Sequence, residues 1–141
     1  MGNCYYIEAT AYNFTEASEN CKDHFGNHGT GVLFEPRIQI LNDAVIKEAR
    51  RTVDVNGVIH TFWLGIRDLD SNNNWQYFSS HEKVTWTNWS PGMPDNWNGL
   101  PENCVNSYDP STFKWNDDSC AVSFQSICEL TTDLTFQKGH K

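Results

Sequence analysis

Between Asp68 and Asn103 the chain carries little that builds regular structure. Asn, Asp, Ser, Gly and Pro dominate there, interrupted by Trp75, Trp86, Trp89 and Trp97. Such residues favour turns for local hydrogen-bonding reasons. A stretch this long without regular elements is uncommon inside a compact domain, and where it occurs it is usually functional. The rest of the chain must therefore supply a core that holds this excursion in place.

The N-terminal part reads as that core. Cys4-Tyr5-Tyr6-Ile7 is a short strand. Thr15 resembles an N-cap, with Glu16 in the first turn where the helix dipole favours an acid. Ala17, Cys21 and Phe25 follow at a spacing of four, the stripe of an amphipathic helix, and Gly26, Gly29 and Gly31 end it. Pro36 to Ala49 forms a second helix, with Ile38, Leu41, Val45 and Ala49 on one face. Asn56-Gly57 between β-branched residues signals a type I′ hairpin. Phe62-Trp63-Leu64-Gly65-Ile66 is a continuous apolar run, best read as a buried strand. Short strands resume near Val84-Thr85-Trp86, Cys104-Val105-Asn106, Phe113-Lys114-Trp115 and Ile127-Cys128-Glu129. Helices bunched early and strands later make an α+β domain rather than alternating α/β.

The 141 residues suit one domain, expected over 1–130, with a loose polar tail over 131–141. Aromatics at 13% exclude low-complexity disorder. Ten basic against 18 acidic residues give a formal charge of −8. That field repels nucleic acid and anionic membrane surfaces and suits cations. No apolar run approaches the ~18 residues that span a bilayer. Met1-Gly2 reads as an added start ahead of a mature chain. Cysteines at 4, 21, 104, 120 and 128 form no Cys-x-x-Cys pair, which argues against a zinc ribbon and for disulfides in an oxidising compartment. The sequons Asn13-Phe14-Thr15 and Asn88-Trp89-Ser90 agree with secretion. The five histidines show no metal spacing, and no nucleophile–base pattern stands out, so an enzyme is not expected.

The densest polar chemistry lies in Pro91 to Asn103 and in Trp115-Asn116-Asp117-Asp118. Asp95, Glu102, Asn116 and Asp117 are oxygen donors of the kind that calcium takes in sets of six to eight. A linear calcium loop of the Asp-x-Asn-x-Asp-Gly type is absent. A pairing of Cys104 with Cys120 would bring the two segments together.

These residues carry a family resemblance. The chain resembles a C-type lectin-like domain from about Cys4 to Leu130. Trp63-Leu64-Gly65-Ile66 is similar to the family's Trp-Ile-Gly-Leu strand, and Met93-Pro94-Asp95 to its Glu-Pro-Asn or Gln-Pro-Asp motif. Glu102-Asn103-Cys104, Trp115-Asn116-Asp117 and Cys128-Glu129 match further elements in order. The resemblance implies a C-type lectin fold, with two helices, two small antiparallel sheets and a long calcium-binding loop region. It pairs Cys21 with Cys128 and Cys104 with Cys120, leaving Cys4 unpaired or bridging to a second chain in a homodimer. It implies a principal calcium held by Asp95, Glu102, Asn116 and Asp117, with Pro94 as the family's cis-proline. An auxiliary calcium would use Asp68, Asn72 and Asn96 with Glu102. Met93 departs from the motif, because a thioether is a poor ligand for a hard cation.

The resemblance further implies a calcium-dependent, secreted lectin for glycans or glycoproteins. The sugar would meet Met93, Asp95, Trp97, Glu102, Asn116 and Asp117. Asp95 at the third motif position and Trp97 two residues on resemble galactose and N-acetylgalactosamine binders, where the sugar's apolar face stacks on indole. The alternative is a domain of the same family that binds mannose or N-acetylglucosamine, or a protein ligand without sugar.

Overall fold

The computed structural model describes residues 3–53, 60–70, 73–95 and 103–131. The expected hairpin at Asn56-Gly57 and the tail beyond Thr131 lie outside the described residues.

Strand β1 (Asn3–Tyr12) pairs antiparallel with β7 (Phe124–Thr131), from Asn3 opposite Thr131 to Tyr12 opposite Phe124, with a register shift between Glu8 and Tyr12. It is longer than Cys4–Ile7 because β7 offers a partner along most of its length. Helix α1 (Phe14–His24) buries Phe14, Ala17 and Cys21. Its cap is Asn13, not Thr15. The Asn13 side chain accepts the Glu16 N–H at 2.9 Å, and Glu16 Oε1 accepts the Asn13 N–H at 3.1 Å. This reciprocal box requires the cap three residues before the acid, which Asn13 satisfies and Thr15 does not.

Helix α2 (Gln39–Val53) starts later and ends later than Pro36 to Ala49. Its buried stripe is Asn42, Val45, Ile46, Ala49 and Val53. Ile38 precedes the helix and is 59% exposed, so it is not part of that face. Between the helices, β2 (Val32–Leu33) adds to β7.

Strand β3 (Phe62–Arg67) is the centre. Phe62, Leu64 and Ile66 face one apolar cluster with α2, and Trp63 faces the other with Phe14, Ala17 and Cys21. Burial of both faces explains an apolar run without alternation. Gly65 is required here: a Cβ would stand 2.5 Å from the Leu33 carbonyl oxygen, where the Gly65 N–H donates to Phe34 O at 2.7 Å.

Strands β4 (Gln76–Tyr77), β5 (Cys104–Asn106) and β6 (Asn116–Asp118) complete the sheet. The order is β1-β7-β3-β5-β6, with β2 on β7 and β4 on β3. Among these strands the pairings are antiparallel except β3 with β7, which is parallel at Phe62 opposite Gln125 and Trp63 opposite Ser126. The α+β class stands, but that parallel contact fuses the expected two small sheets into one mixed sheet. Val84–Trp86 is not a strand. The Val84 N–H donates to Trp75 O at 3.0 Å, and Lys83 forms an isolated bridge with Gln76. The strand expected at Phe113–Trp115 begins at Asn116, while Trp115 bridges Trp89.

Disulfides join Cys21 to Cys128 and Cys104 to Cys120, and Cys4 is an exposed free thiol on β1.

Candidate functional site

Strand β6 and the loop before it are fixed from below. Trp115 is wholly buried, and its indole N–H donates to Asn42 Oδ1 at 2.9 Å. The Asn42 amide in turn donates to Phe113 O at 2.9 Å. Trp86 and Trp89 pack edge-on against Trp115, with ring centroids 5.3 and 5.7 Å away. These tryptophans thus serve packing, as does Trp75, which packs on Trp89.

The backbone of Trp115 draws the motif loop alongside. Its N–H donates to Asn88 O and its carbonyl accepts the Ser90 N–H, both at 2.8 Å. The Met93 N–H then donates to Ser90 O at 3.0 Å, and the Met93–Pro94 peptide is cis. The chain next delivers the Asp95 N–H to the Asp117 carboxylate, 3.1 Å from Oδ1 and 3.2 Å from Oδ2. Asp95 is exposed, whereas Asp117 is 1% exposed. Two of the expected ligands are thereby brought together, and Asn116 adjoins Asp117 on β6.

Successive strand residues point to opposite sides. Asn116 and Asp118 line a cleft of about 380 Å³ with Met93, Ser90, Tyr108 and Asp109. Asp117 instead turns to the motif loop. Glu102, Asn96, Trp97 and Asn72 lie outside the described residues. Asp68 is 2% exposed; its carboxylate accepts the N–H of Asp70 at 3.2 Å and of Asn73 at 2.7 Å. The Asp68 N–H donates to Asn103 O at 2.9 Å, closing the base of the long excursion.

The donor chemistry fits calcium. Two carboxylates, Asp95 and Asp117, linked by the Asp95 N–H, are hard oxygen donors, and the Asn116 amide next to Asp117 offers a third from the cleft side. Met93 adds none. Among the described residues no three His, Cys, Asp or Glu side chains are gathered closely enough to hold a metal ion.

Two supports carry no motif in the sequence. Arg50 on α2 donates to the carbonyls of Thr112 (2.8 Å), Asp109 (2.9 Å) and Ser107 (3.0 Å), holding the strand connection that forms one cleft wall. Asn42 is the other. Both are polar residues on or beside the apolar stripe of α2, which is the signal that could have revealed them. Burial pushes the Asp109 carboxyl up, but hydrogen bonds from the Ser111 backbone and side chain, Thr112 and Ser90 outweigh it and hold the group below its ordinary value.

Residues 10–130 match the C-type lectin domain, so the chain belongs to the C-type lectin family, whose fold is that of carbohydrate-binding proteins rather than enzymes. Over 135 residues the chain is 27% identical to the alpha-N-acetylgalactosamine-specific lectin of Patiria pectinifera, covering 93% of this chain and 76% of that lectin. It is also 27% identical over 135 residues to C-type mannose receptor 2 of Homo sapiens; that match spans 96% of this chain but 8% of the receptor. Its fold resembles the C-type lectin CEL-I from Cucumaria echinata, with a TM-score of 0.78 at 23% identity over 94% of each chain. No helix among the described residues is long and apolar enough to cross a membrane.

Proposed function

We propose that the chain is a calcium-dependent carbohydrate-binding module that prefers galactose and N-acetylgalactosamine. The observation that carries this reading is the Asp95 N–H held on the Asp117 carboxylate, which sets the motif loop against β6. Asp95, Asp117, Asn116 and Glu102 are the oxygen donors for the ion. Calcium, when bound, supplies a coordination site for two neighbouring sugar hydroxyls. The carboxylate of Asp95 accepts a hydrogen bond from one hydroxyl, and the Asn116 amide supplies a second polar partner. Asp95 at the third motif position and Trp97 beyond it favour galactose stereochemistry, with the indole stacking on the sugar's apolar face. The relative named for N-acetylgalactosamine supports the same preference. Two disulfides support a secreted protein.

The test is a glycan array run in calcium and again in EDTA. Galactose- and N-acetylgalactosamine-terminated glycans should bind only with calcium, be competed by the free sugar, and be lost in Asp95→Ala. Unchanged binding in Asp95→Ala would refute the site. One observation favours a second reading: Met93 presents a thioether to the cleft where the family motif carries an oxygen. A domain binding mannose-type sugars, or a protein surface, would show as mannose-selective or sugar-free arrays.

A further inference from the structure

The cleft beside the motif loop is a built feature. Its two walls are linked by Ser90 Oγ donating to Asp109 Oδ2 at 3.3 Å, and the far wall is pinned by the three Arg50 hydrogen bonds. Its floor is the outer face of β6, Asn116 and Asp118. Asp118 is itself fixed, accepting the Ser119 N–H at 2.9 Å and the Asn106 amide at 3.4 Å. Tyr108 lines the cleft as well, 59% exposed, with its N–H donating to Asn106 Oδ1 at 3.0 Å. The cleft is continuous with the proposed sugar site, because Met93 and Asn116 belong to both.

We propose that this cleft is a second sugar subsite, which accepts the neutral ring next to the terminal sugar and stacks it on Tyr108. The inference rests on the functional reading above and extends it. An aromatic face with carboxylates to one side is the combination that recognises a carbohydrate ring: the ring's apolar face packs on the phenol, and its hydroxyls donate to the acids. At about 380 Å³ the cleft lies near the small end of ligand sites, room for one ring rather than a chain of them. Asp109 and Asp118 put two negative charges at its edge, in a chain of formal charge −8. A sulfated or otherwise acidic second ring is therefore rejected, while a neutral one is not.

The experiment is calorimetric titration of the whole protein in calcium with methyl β-galactoside, with N-acetyllactosamine, and with N-acetyllactosamine sulfated on the 6-hydroxyl of its N-acetylglucosamine. The neutral disaccharide should bind about 5-fold tighter than the monosaccharide, and the sulfated one at least 3-fold weaker than the neutral. Tyr108→Ala should erase the disaccharide advantage and leave methyl β-galactoside unchanged, while Tyr108→Phe keeps both. Asp118→Asn should reduce the discrimination against sulfate. Equal affinity for mono- and disaccharide in the wild type, or equal losses for both in Tyr108→Ala, overturns the subsite while leaving the primary site intact. Failure of all three ligands to bind in calcium overturns the primary reading and the subsite with it.

Discussion

Asn42 is wholly buried on α2 and engages both hydrogen-bonding ends of its side chain, accepting from the Trp115 indole and donating to the Phe113 carbonyl. Trp115 directly precedes the two residues of β6 that are proposed to face the ion. Asn42→Ala strands the indole N–H in the interior at about 1–3 kcal/mol, while Phe113 O keeps the Asn88 amide as a donor. We expect a loss of about 1–3 kcal/mol in urea denaturation, together with weaker calcium binding by titration. Stability loss without any change in calcium affinity would separate Asn42 from the site. A second prediction concerns the two sequons. The Asn88 amide donates to Phe113 O at 2.9 Å in a residue 5% exposed, whereas Asn13 uses its side-chain oxygen in the helix cap and is only half-buried. Expressed through a secretory pathway, the protein should carry glycan at Asn13 and none at Asn88 by peptide mass spectrometry. A folded product glycosylated at Asn88 contradicts this. At this scale the meeting of Asp95 with Asp117 was legible, because Met93-Pro94-Asp95 and Trp115-Asn116-Asp117 both resemble family motifs. Their supports were not, since a buried Asn or Arg is recognisable only from what it touches.

At the scale of elements, the meeting of β1, β2 and β7 is held by two buried acids. Glu129 Oε1 accepts the Glu35 N–H at 3.1 Å, and Oε2 accepts the Asn3 amide at 2.7 Å. Glu35 Oε2 accepts the Ser79 N–H at 2.9 Å, and Arg37 lies 3.4 Å from Oε1. Burial pushes both carboxyls above their ordinary value of 4.5, more than the hydrogen bonds and Arg37 restore, and Glu35 raises Glu129 further. The folded state therefore binds these protons more tightly than the unfolded chain. Their contribution to stability is greatest at low pH and is lost as pH rises from about the unfolded value of 4.5 through the raised folded values. In EDTA, the melting temperature of the wild type should rise between pH 7.5 and 5.5 by more than that of a Glu35→Gln, Glu129→Gln double variant. Identical pH dependence in the two proteins would show that this pair does not set it. β3 was visible as an apolar run because both its faces are buried. β2 was invisible because two residues, Val32 and Leu33, carry no period; only the free edge of β7 makes them a strand. Val84 misled for the opposite reason, being β-branched and buried without a ladder to join.

Across the whole molecule, the two disulfides act on different ranges. Cys21–Cys128 spans 107 positions and Cys104–Cys120 spans 16, worth about 4.7 and 3 kcal/mol in the chain-entropy view. The long bridge secures α1 to β7 and so the fold; the short one secures β5 to the turn after β6 and so the site. A Cys104→Ser, Cys120→Ser variant should keep its far-ultraviolet dichroism, melt at lower temperature and bind calcium at least several-fold more weakly. Undiminished calcium affinity would show that β6 holds its geometry without the bridge. The α+β class and the place of the excursion could be read from the order of elements. The single mixed sheet could not, because the parallel contact of β3 with β7 joins residues far apart in the chain.

The most direct measurement is a calorimetric titration of galactose into the wild type and Asp95→Ala, each in calcium and in EDTA. The wild type in calcium should bind and the other three combinations should not. Binding that survives EDTA, or that persists in Asp95→Ala with calcium present, would contradict the claim that Asp95 and Asp117 hold an ion through which the sugar is gripped.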